Sequence, residues 1–304
     1  MNARKKNRET KSYIGMALSM LIIGLSFVFV KMALKYASPS DVLAHRFTAA
    51  AVCMAAVCAV GRTGIPHISK HQAGQLLLLS VFYPFLFFAL QTAGLQYTTA
   101  SEAGILSAVM PVLTLIAAAL LLKEKSTWGQ VAGIVVSIGG ILYIFYKNGV
   151  AVQTESLKGN LFIIACVLAN VAYYILGRRI NKGFKAADIT FFMVLAACVV
   201  FNAMALFQHS ANGDMGAFLK PLIHGEFVFS VLYLGVLSSL VTSLFSNYAL
   251  SAIPASQVAA FTNLSPIVTI VGGALILDEQ LQTYQIVGGL LVIAGVLATM
   301  LFKK

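Results

Sequence analysis

An all-α integral membrane protein, with ten transmembrane helices arranged as two inverted five-helix repeats, is the fold this sequence predicts. Three observations carry that expectation. Ten long apolar stretches follow one another along the 304 residues, with charges gathered mainly at their ends. The composition is 59% hydrophobic and only 10% charged, with a mean hydropathy of +0.88, which leaves too few polar side chains to coat a soluble protein of this size. Residues of the first half also recur at fixed spacing in the second. A span needs about 20 apolar residues to cross a hydrocarbon core about 30 Å thick. Ten of them use about 200 residues and leave only short connections.

The stretches lie near residues 12–34, 41–60, 73–93, 100–122, 127–146, 158–177, 187–207, 227–248, 254–277 and 283–301. Helix breakers mark the joints: Pro39 after the first, Gly61 and Gly64 after the second, Asn148-Gly149 after the fifth, and Asn212-Gly213 with Pro221 in the longest later loop. Pro84, Pro111 and Pro266 fall inside apolar runs, where a proline bends a helix without ending it, because neighbouring groups can satisfy the freed carbonyl. The first stretch follows a basic tail, as a secretion signal does. It is longer than a signal core, lacks a small-residue cleavage site and is followed at once by more spans, so it reads as a retained helix.

Charge placement orients the chain. With both termini in the cytoplasm, 15 of the 21 Lys and Arg residues fall on the inner side. The other six are Lys31, Lys35, Arg46, Lys147, Lys158 and Lys220. This is the bias of the positive-inside rule. It also explains the net charge of +11 without nucleic acid, since no long basic patch or recognition domain is present.

At a spacing of 155 residues, Ala100-Ser101 matches Ala255-Ser256, Pro111 matches Pro266, Glu124 matches Glu279, Gln130 matches Gln285, Gly133 matches Gly288 and Gly140 matches Gly295. Asp41 and Ala49 match Asp188 and Ala196 at a spacing of 147. Collinear matches of this kind indicate duplication. Five spans per half send the second copy into the membrane from the opposite side, an architecture common among alternating-access transporters. The expected organisation is a cytoplasmic basic tail 1–11, a first repeat 12–146, an outer loop 147–157, a second repeat 158–301 and a cytoplasmic end 302–304.

The chain resembles the EamA-type branch of the drug/metabolite transporter superfamily over nearly its whole length. The likeness runs through Gly24 to Lys31, Asp41 through Arg46-Phe47, Gly94-Leu95-Gln96-Tyr97-Thr98, the Pro111 helix and Lys123-Glu124-Lys125. In the second half it includes Ala172-Tyr173, Arg178-Arg179, Tyr248-Ala249-Leu250 and the ending from Pro266 through Asp278-Glu279 to Gly288-Gly289 and Gly295. The resemblance implies an inner-membrane carrier, with a cavity built mainly from the first four helices of each half and the fifth and tenth helices peripheral. It further implies efflux of amino acids, metabolites or drug-like solutes. The first helix lacks the buried glutamate of the small multidrug-resistance relatives, so their proton mechanism does not transfer directly.

Polar residues inside apolar runs are the candidate cavity residues, because an unpartnered amide in lipid is costly. They are Ser26, Arg46, Gln91, Tyr97, Asn170, Tyr173, Ser239, Ser243, Asn247 and Asn263. Gly235, Ser239, Ser243 and Asn247 recur every four residues, a face that either lines a passage or packs closely on another helix. Arg46 either meets an anionic group, snorkels to the interface or pairs with Asp41. Glu102 and Arg46 are the coupling or gating candidates. Pro111, Glu124, Pro266 and Glu279 serve as structural markers of the repeat, the two glutamates as caps or loop organisers. Gly129, Gly133, Gly140, Gly288 and Gly295 let the fifth and tenth helices pack closely.

A secondary transporter is the function this pattern predicts. The partners are the lipid bilayer and a small-molecule solute, with a proton or counter-solute and a second copy of the chain left open. Neither cofactor nor metal is expected. The four cysteines lie in apolar runs without ligand spacing. A polytopic enzyme or a channel stands as the alternative, but no HExxH, GxSxG, paired-carboxylate, Walker or selectivity-loop pattern is present.

Overall fold

The computed structural model describes residues 2–61, 69–122, 127–150, 154–253, 255–262 and 264–302. Among them the regular structure is helical: α1 (Asn2–Leu34), α2 (Pro39–Gly61), α3 (Lys70–Ser80), α4 (Phe87–Tyr97), α5 (Ala100–Ser107), α6 (Met110–Leu122) and α7 (Trp128–Val150). There follow α8 (Thr154–Ile180), α9 (Ala186–Asn212), α10 (Gly225–Leu232), α11 (Thr242–Ala252), α12 (Ala255–Phe261), α13 (Leu264–Ile276) and α14 (Thr283–Leu301). α1 starts at Asn2, so helix runs through the stretch expected as a tail.

Seven helical stretches among the described residues are long and apolar enough to cross a membrane: Asn7–Leu34, Pro39–Ala59, Gln72–Tyr97, Ala100–Leu121, Ser156–Ile180, Ala186–Asn212 and Gly225–Ala252. Val131–Ile144, Leu264–Ile276 and Thr283–Gly295 are shorter apolar helices. Large apolar side chains face outward, including Leu120, Val135 and Phe207, while Arg46, Asn160 and Asn247 are fully buried. Apolar outside and polar within is the distribution a lipid solvent imposes. The protein is an all-α, multi-pass membrane bundle.

Four interruptions distinguish the observed helices from smooth rods. α3 and α4 are joined by a π-helical segment, Val81–Leu86, in which Tyr83 is extended (φ −144°, ψ 116°) ahead of Pro84. α10 and α11 are joined by a second π-helical segment, Tyr233–Val241. α5 and α6 are separated by a turn at Ala108 and Val109, where Pro111 has no N–H to offer the carbonyl of Ser107. α12 ends near Thr262, whose carbonyl accepts from Ser265 N at 3.1 Å, Pro266 being likewise unable to donate to it. The sequence predicted bends at these prolines; the chain goes further and stops the regular α-helix at each.

Small residues bring backbones together elsewhere. On α7 and α14, a Cβ on Gly140 would lie 2.7 Å from the carbonyl oxygen of Gly288, and one on Gly295 would lie 2.5 Å from that of Gly133. Ser137 Oγ donates across the same seam to Val292 O at 3.0 Å. This is the close approach expected of the fifth and tenth helices. α1 meets α13 in a similar way, with Thr269 Oγ1 donating to Gly24 O at 2.8 Å.

Candidate functional site: a central cavity behind four helix interruptions

All four interruptions face one narrow internal cavity of about 50 Å³. Tyr83 comes from the first π segment, Ser238 from the second, Ser107 and Met110 from the α5–α6 break, and Thr262 and Ser265 from the α12–α13 break. α1 adds Met20 and Ser26, α4 adds Phe88 and Gln91, and α8 adds Asn170 and Tyr173. No described residue of α2, α7, α9 or α14 lines it, so the second helix of each expected half stands outside the ring that the family resemblance implied.

Local geometry fixes the aromatic wall. The break before Pro84 turns Tyr83 inward, where it stacks on Tyr173 at 4.7 Å between ring centres and bonds Ser243 Oγ through its hydroxyl at 3.2 Å. Tyr173 OH donates to Asn247 Oδ1 at 2.8 Å. Asn247 is itself tied to Asn181 Nδ2 (3.0 Å) and Thr190 Oγ1 (3.0 Å). Aromatic faces therefore line the cavity while their hydroxyls are satisfied behind it, as buried tyrosines require.

Two carbonyl oxygens on this lining have no partner: Gln91 Oε1 and Asn170 Oδ1. The Asn170 amide nitrogen reaches only Met110 Sδ, at 3.5 Å. Both oxygens can accept from the N–H groups of a solute, and a bound solute that displaced water and left them unpaired would incur about 1–3 kcal/mol for each. Ser26 also lines the cavity, its hydroxyl returned to Ile23 O at 2.7 Å.

Arg46 is fully buried on α2, directly behind this wall. Its Nε donates to Ser239 Oγ at 2.7 Å and its Nη2 to Ser238 Oγ at 2.9 Å, and the guanidinium lies 3.9 Å from the centre of the Phe88 ring. Nη1 is buried without a partner. Arg46 neither snorkels nor pairs with Asp41, whose Oδ1 lies 2.8 Å from His209 Nε2. Gly235 permits the arrangement, since a Cβ there would stand 2.4 Å from Arg46 O.

The four-residue stripe of the eighth predicted helix thus takes the packing alternative. Gly235, Ser239, Ser243 and Asn247 hold Arg46, Tyr83 and Tyr173 from behind, and Ser238 and Ser246 face the cavity instead. Ser238 does both, since it also accepts from Arg46 Nη2.

Glu102 and Tyr97 belong to a separate polar pocket of about 950 Å³ empty volume that also includes Lys31, Ser156 and Gln285. The Glu102 carboxylate is buried, accepting from Asn160 Nδ2 at 2.7 Å, Thr98 Oγ1 at 3.1 Å and Gln285 Nε2 at 3.3 Å. It does not meet Arg46. Lys158 Nζ lies 3.3 Å from Tyr97 OH, which places Tyr97 away from the central cavity. Glu279 caps α5 through bonds from Ala100 N and Ser101 N at 2.8 and 2.9 Å. Pro111 and Pro266 sit at the two breaks just described; Glu124 and Asn263 lie outside the described residues. Sequence reasoning missed Asn160, Ser238, Ser246 and Thr262. An amide in a predicted span was a usable signal for Asn160, whereas the serines and Thr262 carry no signal that separates them from their hydroxyl neighbours.

The sequence model of the EamA-like transporter family matches this chain twice, over residues 10–146 and 157–301. The chain belongs to that family. The EamA-like match is accompanied by 42% identity over 294 residues to the uncharacterized transporter YcxC of Bacillus subtilis (strain 168), covering 97% of this chain and 94% of the relative. A probable terminal-alkyne amino-acid exporter of Streptantibioticus cattleyicolor is 23% identical over 294 residues, covering 95% and 93% of the two chains. A crystal structure shares the fold, with a TM-score of 0.67 at 15% identity across 97% of this chain and 98% of its own. As an EamA-like protein, the chain is a secondary transporter of small molecules across a membrane rather than an enzyme.

Proposed function

We propose that this protein is an exporter of amino acids, small metabolites or drug-like solutes that carry an ammonium or amide N–H and an apolar body. It works by alternating access. The observation that carries this reading is the meeting of four interrupted helices at one cavity, since discontinuous helices in corresponding positions mark the binding site of repeat-built transporters. Gln91 and Asn170 accept the solute's N–H groups, and Tyr83, Phe88 and Tyr173 receive its apolar or cationic part. The exporter relative from Streptantibioticus supports the direction of movement.

The same reading takes the bundle as ten spans in two inverted five-helix repeats, 12–146 and 158–301, with both termini cytoplasmic. Support comes from the double family match, from the three shorter apolar helices beside the seven long ones, and from the paired placement of the π segments and proline breaks. Coupling to a proton is assigned to Glu102, a buried carboxylate bordering a polar pocket.

The test is counterflow in sealed proteoliposomes preloaded with single amino acids, amines or cationic dyes, read by intact mass. Saturable accumulation of an unchanged solute is expected, with Asn170→Ala and Gln91→Ala each weakening half-saturation roughly tenfold, the equivalent of about 1.4 kcal/mol. Exchange unaffected by both variants removes the cavity assignment, and a product of altered mass removes the carrier reading.

A further inference from the structure

A second recess opens at another place, where the start of α1, the start of α9 and the end of α11 come together. Its empty volume is about 1310 Å³. Ile14, Leu18, Leu244 and Phe245 form an apolar floor, and Arg8, Lys11 and Lys185 form a cationic rim. Among the described residues no carboxylate lines it: Glu9 and Asp188, the nearest acids in sequence and the latter in the first turn of α9, are absent from its walls. Ile14, Leu18 and Leu244 remain 58%, 47% and 37% exposed, so the floor runs out onto the lipid-facing surface.

The rim is arranged rather than merely basic. Arg8 is held by Ser251, its Nη2 donating to Oγ at 3.3 Å, and lies 5.9 Å from the centre of the Tyr248 ring. Lys185 is the N-cap of α9 and supplies no side-chain cap. Ala186 and Ala187, whose N–H groups lie in that first turn, also line the recess, adding the positive end of a helix to three cations.

We propose that this groove binds an anionic phospholipid, with its phosphodiester on Arg8, Lys11 and Lys185 and an acyl chain along Ile14, Leu18, Leu244 and Phe245. Basic recesses between membrane helices hold such headgroups. A soluble phosphate would engage the rim and leave the apolar floor unused, whereas a diacyl lipid matches both parts. The bound lipid joins α1, which contributes Ser26 to the central cavity, to α11, which contributes Ser246. This assignment is independent of which solute is carried.

The experiment is native mass spectrometry of the full chain in neutral detergent, titrated with phosphatidylglycerol, phosphatidylcholine or glycerol 3-phosphate. Phosphatidylglycerol should be retained at least tenfold more tightly than the other two. Roughly fivefold per basic residue predicts a loss above tenfold in the Arg8→Gln, Lys11→Gln, Lys185→Gln triple variant. Leu18→Trp, which fills the floor and leaves the charges, should also weaken phosphatidylglycerol. Equal retention of the two lipids, or a triple variant that retains phosphatidylglycerol like the parent, overturns the site. Glycerol 3-phosphate binding as tightly as the lipid and untouched by Leu18→Trp replaces it with a free-anion site. If the triple variant fails to fold, the parent protein is photolabelled with phosphatidylglycerol carrying a photoreactive acyl chain. Labelling within residues 14–18 or 244–248 supports the proposal, and labelling confined elsewhere overturns it.

Discussion

Glu279, from the other half of the chain, grips Ser101, accepting from its backbone N at 2.9 Å and its hydroxyl at 2.6 Å. The carboxylate that follows α13 in the chain therefore closes the N-terminus of α5, and its other oxygen takes Ala100 N at 2.8 Å. Removing an N-terminal cap costs about 0.5–2 kcal/mol, and a charged acceptor strengthens each bond. Glu279→Ala should lower the melting temperature of the detergent-purified protein more than Ser101→Ala, with Glu279→Gln between them. An unchanged melting curve for Glu279→Ala would mean that α5 holds its place without this cap.

Arg46 tests the wall behind the cavity. Hydrogen bonds between membrane helices average about 0.6 kcal/mol and reach about 1.7, and here two serines share one cation packed on Phe88. A double-mutant cycle between Arg46→Gln and Ser239→Ala, read by chemical unfolding in micelles, should show a coupling energy within that range. Additive losses would indicate that the 2.7 Å contact contributes nothing of its own.

The α7–α14 seam predicts the opposite division of effects. Gly140→Leu forces a side chain against the carbonyl of Gly288, and overpacking costs about 1–3 kcal/mol. Thermal stability should fall by that amount while the half-saturation for solute in surviving protein stays at the parent value, because no described residue of either helix lines the cavity. A large change in solute affinity would show that the seam takes part in recognition.

For Glu102, the two modes of transport separate. Glu102→Gln keeps the size of the side chain, turns one of its acceptor oxygens into a donor, and removes its capacity to gain and lose a proton. Uptake driven by an imposed proton gradient should disappear while solute counterflow persists at the parent rate. Loss of both would make Glu102 a structural residue, held by Asn160, Thr98 and Gln285.

The membrane bundle was legible because span length is a physical requirement of the hydrocarbon core, and an apolar run of that length has few other uses. Pro84, Pro111 and Pro266 announced the irregular points, since a missing N–H is visible in any sequence. The positions of Ser26, Gln91, Asn170 and Tyr173 on the cavity wall were legible in the same way, as polar groups that lipid does not tolerate. Arg46, Ser239 and Asn247 were legible as buried but not in their placement, because a polar group satisfied by a neighbouring helix has the same local signature as one facing a cavity. The division between Ser239, which only bonds Arg46, and Ser238, which bonds Arg46 and also borders the cavity, was invisible, because adjacent serines in one apolar run carry the same local signature.

A rod interrupted near its centre is two stiff arms on a soft joint, and torque on one arm does not reach the other undiminished. The four breaks at Tyr83, Ala108, Ser238 and Thr262 put such joints around a single chamber. Under the alternating access proposed above, opening the chamber to one side asks half-length segments, not whole helices, to swing. On that proposal the side chains that repack during reorientation are those beside the cargo, so a solute that fits them bears on the joints themselves.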